Sequence, residues 1–207
     1  YINSVGVLHH LANPRAGLEA LGKLLKPGAI LHLFLYAKAG RRDIRRVQRA
    51  LNLLEVSNGG EGLQLARGLI NELPKENLIR RNYQRRWQNE CKSDSVFADM
   101  YMHPSETVFD VNSLFQLFLN TELFFVGFSN PSVWNLDRLL SGELLERAKG
   151  MTLIDQWKLI EMLDPDISHF EFFLSKGPLE KYSWVADNVI LDSKGKINQC
   201  IGGWPGN

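Results

Sequence analysis

Cysteine is scarce in this 207-residue chain: Cys91 and Cys200 stand far apart, with no CxxC pair and no neighbouring histidine. Neither a disulfide scaffold nor a structural zinc site is expected, and the usage fits a reducing compartment such as the cytoplasm. An excess of one charge is also missing. The 24 Lys+Arg and 23 Asp+Glu leave a formal net charge of +1, which argues against a globally basic nucleic-acid binder. Long hydrophobic runs are absent too. The longest, Ala29–Ala37, contains His32 and covers about a third to half of a bilayer-crossing helix, so no transmembrane segment is expected. Internal repeats, low-complexity segments and a GxSxG nucleophile elbow are likewise lacking. No His/Cys/Asp/Glu set has familiar ligand spacing, so no metal is expected. What remains is an ordinary globular composition, 44% hydrophobic and 23% charged. The length suits one domain, or one domain with a large insertion.

The chain starts with Tyr1, inside the apolar run Tyr1–Leu8, which reads as a short buried strand. Asn13-Pro14 is a helix start: Asn caps orphan N–H groups and Pro suits the first helical position. Leu18, Leu21, Leu24 and Leu25 recur at helical spacing, and Pro27-Gly28 ends the helix. Residues 29–36, AILHLFLY, form a nearly continuous apolar run, as expected of a strand buried on both faces of a parallel sheet. Strand, helix and strand in this order give a right-handed βαβ unit.

Residues 40–98 turn polar, basic and helical, and read as an inserted lid. Residues 111–120 read as an amphipathic helix, 122–129 as a strand, Leu136–Leu163 as helix broken near Gly150, and 168–175 as an alternating strand. The expected organisation is residues 1–39 as βαβ core, 40–110 as helical insertion, 111–177 as the remaining core and 178–207 as an irregular tail.

Two phrases carry a resemblance. Val7-Leu8-His9-His10-Leu11 ends the first strand, and Leu25-Lys26-Pro27-Gly28 precedes a strand that ends in Tyr36, with the Asn13-Pro14 helix between them. In this spacing the chain resembles the class I S-adenosylmethionine-dependent methyltransferases, closest to a bacterial subgroup with a long helical insertion after the fifth strand. The resemblance implies an α/β fold: a partial Rossmann-like methyltransferase sheet, from the fourth strand onward, ending in an antiparallel strand pair. That pair would be residues 122–129 and 168–175. Two departures stand out. Ala29 replaces the family's usual second glycine, and neither the glycine-rich cofactor loop nor the acidic end of the second strand occurs in these 207 residues. By the family's order both would precede Tyr1, so an N-terminally truncated chain is expected, inactive on its own.

The same resemblance implies S-adenosyl-L-methionine as cofactor, with the backbone of Ser4, Val5, Gly6, Val7 and Leu8 lining its methionine part. Ligands of open α/β sheets bind beyond the carboxyl ends of the strands, which places His9 and His10 at the mouth of the site. A histidine there can accept a substrate proton, and His10 is preferred over His9. Tyr36 ends the next strand at the same edge and can orient a substrate. Tyr101 and His103, between the lid and the next helix, are candidate substrate contacts, as is Arg41 for an anionic substrate. The arginines of residues 41–49 and 80–86 otherwise read as solvated helix faces, so nucleic acid is not the expected partner. The acceptor is an unspecified small molecule or protein. Two rival readings remain: a non-catalytic binding or scaffold module derived from a methyltransferase, and a nicotinamide-dependent reductase, which the antiparallel final pair fits less well.

Overall fold

The computed structural model describes residues 1–179; residues 180–207 of the expected 178–207 tail, with Cys200, lie outside the described residues. Four strands form one sheet in the order β1-β2-β4-β3: β1 (Ile2–Val5), β2 (Ile30–Tyr36), β3 (Leu123–Phe128) and β4 (His169–Lys176). β1 and β2 pair in parallel, Ser4 opposite Leu33. Helix α1 (Pro14–Leu24) makes the crossover, its first turn closed by the Asn13 side chain accepting from Ala16 N–H. β4 runs antiparallel to both β2 and β3, so the chain ends its sheet in the antiparallel pair that the resemblance implied.

Two strand expectations need correction. The first strand ends at Val5 rather than Leu8, because Gly6 takes a φ of +73° and Leu8–His10 wind into a 3-10 turn. Nor is β2 buried on both faces. Leu31, Leu33 and Leu35 are fully buried, whereas His32, Phe34 and Tyr36 are only half-buried. The buried face joins Phe170, Phe172 and Leu174 of β4. It is covered by Leu18 of α1, Leu114 of α6 (Val111–Phe118) and Ile160 of α8 (Leu153–Leu163). The Leu136–Leu163 stretch divides into a 3-10 turn at Leu136–Arg138, α7 (Gly142–Lys149) and α8.

Between Tyr36 and α6 the chain folds into α2 (Arg42–Leu53), α3 (Gly60–Glu72), α4 (Leu78–Asn82), a π-helical turn at Tyr83–Trp87 and α5 (Asp94–Met102). These helices bury a second apolar cluster of their own, including Ile44, Val47, Ile70, Phe97 and Tyr101. Their two ends meet: Ala37 bridges Phe109, Phe109 N–H donates to the Tyr36 carbonyl at 2.9 Å and Lys38 N–H to the Phe109 carbonyl at 2.7 Å.

Gly40 closes this joint against the start of β4. Its N–H donates to the Ile167 carbonyl at 2.8 Å. A Cβ there would lie 2.4 Å from that carbonyl oxygen and 2.5 Å from Ser168 Cα, both backbone atoms that cannot step aside. Gly40→Ala is therefore expected to cost about 3 kcal/mol, the upper part of the usual overpacking range. A urea midpoint unchanged from the parent chain would contradict the close approach.

Candidate functional site

Because β1 and β2 are parallel, Val5 and Tyr36 end at the same, carboxyl edge of the sheet. This is where open α/β sheets bind ligands. The chain turns there at Gly6, and a Cβ on Gly6 would meet nothing within 4 Å, so the turn faces open space. Ser4 is buried with an Oγ that has no hydrogen-bond partner. Val5 and Val7 are about half exposed, while Leu8 belongs to the core. The five residues expected to line a cofactor thus divide into a buried Ser4, an exposed turn and a core anchor.

His9 is fully buried, with neither ring nitrogen hydrogen-bonded. Its ring packs on Tyr36, centroids 3.9 Å apart. Burial, reinforced by the nearby His10 and Arg41, pushes its pKa down to about 3, so His9 is a neutral ring across the physiological range. His10 is half-buried. Its Nδ1 lies 3.0 Å from the Ser105 carbonyl oxygen. A carbonyl only accepts, so Nδ1 carries the proton and Nε2 keeps the lone pair. The His103 ring lies 3.9 Å from that of His10, and His103 Nδ1 accepts from Ser105 N–H at 3.2 Å. Thr107 N–H donates to the His9 carbonyl at 2.8 Å, which ties residues 103–109 to the turn after β1. The structure therefore brings His9, His10, Tyr36 and His103 together.

Arg41 sits differently from a substrate-facing arginine. It is 2% exposed and bonds Glu106 through two nitrogens, with Nε to Oε1 at 3.1 Å. Its guanidinium lies 3.7 Å over the Tyr36 ring. Glu106 is buried as deeply, at 3%. The pair fixes Tyr36 from behind, since Arg41 immediately precedes α2 and Glu106 belongs to the loop after α5. Tyr101 lies in the core of the inserted helices, stacked on Phe97 with centroids 4.9 Å apart. Burial raises its hydroxyl pKa, which holds the ring neutral.

Sequence reasoning missed Asp99 and Glu106. Asp99 joins His10 and His103, with one ligand-capable atom from each inside a 4.8 Å cluster. The signal was the four-residue step from Asp99 to His103, which puts both on one helix face. Beside them runs a groove of about 470 Å³ lined by Gly59, Leu63, Asp99, Met102, His103 and Pro104. A second cavity, about 380 Å³, opens beside Trp134 and His169. Its carboxylates are already engaged: Asp164 by Arg138, and Asp166 by Arg85 and Arg86. Arg42 and Arg46 likewise pair with Asp43. Among the described residues no helix is long and apolar enough to cross a membrane.

Two of the solved structures that match this chain share its fold. PKMT2 from Rickettsia typhi superposes with a TM-score of 0.68 at 15% identity, over 85% of this chain and 35% of that one. Its complex with AdoHcy superposes equally well, at 16% identity and the same coverage. The chain has the fold of S-adenosylmethionine-dependent methyltransferases. No protein-family model matches it. A Synechococcus protein named "Uncharacterized protein syc1184_c" is 42% identical over 209 residues, 99% of this chain and 50% of that protein. The chain thus spans about half the length of the curated relative it matches, and about a third of each solved neighbour.

Proposed function

We propose that these residues form the acceptor-side part of an S-adenosylmethionine-dependent methyltransferase whose glycine-rich cofactor loop lies elsewhere in the polypeptide. The observation that carries this is the meeting of the Gly6 turn, the His9–Tyr36 ring stack and His10 with His103 at one carboxyl sheet edge. The fold shared with methyltransferases supports it. The orphan Ser4 Oγ and the open space beside Gly6 fit a ligand held by Ser4–Leu8. When bound there, S-adenosylmethionine supplies an activated methyl on its sulfonium.

The chain's own task is then to position the acceptor and keep water away. His9 and Tyr36 form a rigid, uncharged wall, locked from behind by Arg41 and Glu106. The groove from Leu63 and Met102 to Asp99 and His103 leads the acceptor in. Its apolar walls, with Leu63 and Met102, suit the methylene stem of a long side chain, which supports a protein acceptor. Retention in a reducing compartment such as the cytoplasm accords with Cys91, which is buried and unpaired.

Calorimetry on the full-length Synechococcus relative and on the 207-residue chain tests the reading. Micromolar binding of S-adenosylmethionine is expected for the first. Binding roughly 100-fold weaker, or about 2.8 kcal/mol, is expected for the second. A full-length relative that binds no cofactor overturns the methyltransferase reading. An isolated chain that binds as tightly overturns the division of labour.

A further inference from the structure

We infer that His10, Asp99 and His103 form a binding site for a first-row divalent cation, with Zn²⁺ as the best match. The site shares His10 and His103 with the methyl-transfer reading, but it rests only on these three side chains and their supports. The three offer one donor atom each, all within 4.8 Å of one another. Tetrahedral zinc with nitrogen and oxygen ligands at 2.0–2.2 Å separates its donors by roughly 3.3–3.6 Å. Closing the cluster therefore needs rotamer adjustments on the order of 1 Å, not a change of fold.

The local chain geometry already favours ligation. Asp99 and His103 are four residues apart, on α5 and at its carboxyl end, so they project from one face. His10 arrives from the other side, on the 3-10 turn that follows β1. Its Nδ1–H is spent on the Ser105 carbonyl, which orients the ring and leaves the Nε2 lone pair free. A backbone carbonyl on the outer nitrogen is the support that metal-binding histidines characteristically have. The His103 ring is held only by the longer 3.2 Å bond from Ser105 N–H, an exposed contact that it can exchange for a cation.

The donor set chooses the ion. Two imidazoles and one carboxylate suit zinc, cobalt or iron, whereas magnesium and calcium prefer all-oxygen shells. Three protein ligands leave a coordination position open. Asp99 and His103 both line the 470 Å³ groove, which provides the entry path for the ion and room for a further ligand.

The test starts from the 207-residue chain stripped of metal with a chelator. Co²⁺ is titrated while its visible absorption is followed, and Zn²⁺ is titrated calorimetrically. One equivalent is expected to bind with a dissociation constant on the order of 1 μM, and Zn²⁺ should displace the cobalt spectrum. Asp99→Asn and His103→Ala should each weaken binding roughly tenfold or more. His32→Ala and His169→Ala, which remove the histidines of the sheet, should leave it unchanged. The absence of a saturable cobalt spectrum in the parent chain overturns the site, whatever the variants do. So does binding that survives His103→Ala in a protein whose circular dichroism matches the parent.

Discussion

Replacing Glu106 with alanine lowers the free energy of unfolding by about 3–5 kcal/mol, the usual cost of leaving one member of a buried ion pair alone. Arg41 and Glu106 are both almost completely buried. Arginine cannot shed its charge by losing a proton. With Glu106 gone, a buried guanidinium would face the Tyr36 ring without its paired carboxylate. The ring's attraction for the cation offsets only about 0.5–2 kcal/mol of that penalty. Removing both charges, as in Arg41→Met with Glu106→Leu, is expected to recover most of the loss, because no uncompensated charge remains. Urea unfolding of the two single variants and the double variant gives the comparison. A Glu106→Ala cost below about 1 kcal/mol, the value of an exposed pair, would show that water reaches the contact. The same substitution frees Tyr36 to tilt, so it should also disturb the site edge that Tyr36 defines.

The second large effect concerns the two apolar clusters. Phe172→Ala in the sheet and Phe97→Ala in the inserted helices should each cost about 3–5 kcal/mol, the range for emptying a fully buried aromatic position. Phe172 lies in the cluster under the sheet, against Phe118 and Phe125. Phe97 lies among Tyr83 and Tyr101, with the Arg67 guanidinium 4.3 Å from its ring. The clusters share no buried residue. The milder changes Phe97→Leu and Phe172→Leu should therefore combine additively, to within about 0.5 kcal/mol. Hydrogen exchange should then place the lost protection of each variant in its own cluster. Coupling above about 1 kcal/mol would mean that the two clusters form one cooperative core.

Much of the sheet could be read from local signals. Asn13-Pro14 caps α1 as its chemistry requires, and the apolar runs at 29–36 and 168–175 both became strands. The exposure of one face of β2 was not legible. A continuous apolar run looks the same whether its second face meets a helix or not, and His32 was the only polar interruption. The site was legible in part. His9, His10 and Tyr36 stood out as residue types at strand ends and His103 as one between the lid and the next helix, and the four do converge. Arg41 was unreadable because its partner is Glu106, brought near by helices that lie between them. A stretch of paired arginines, Arg41-Arg42 and Arg45-Arg46, gives no hint that one of them turns inward. Asp99 was overlooked because carboxylates are common on helices, and only its distance from His10 in space sets it apart.

The bridge between Ala37 and Phe109 has a consequence for how such chains change over evolutionary time. The inserted helices leave the sheet and return to it at one place, so their entry and exit are already neighbours. A short turn could join those two points without shifting the pairing of β2 with β4. The helices can therefore lengthen or shrink away from these anchoring contacts while the strands beneath keep their alignment. Changes there that keep Arg41, Glu106 and Thr107 would leave the Tyr36 and His9 edge in place.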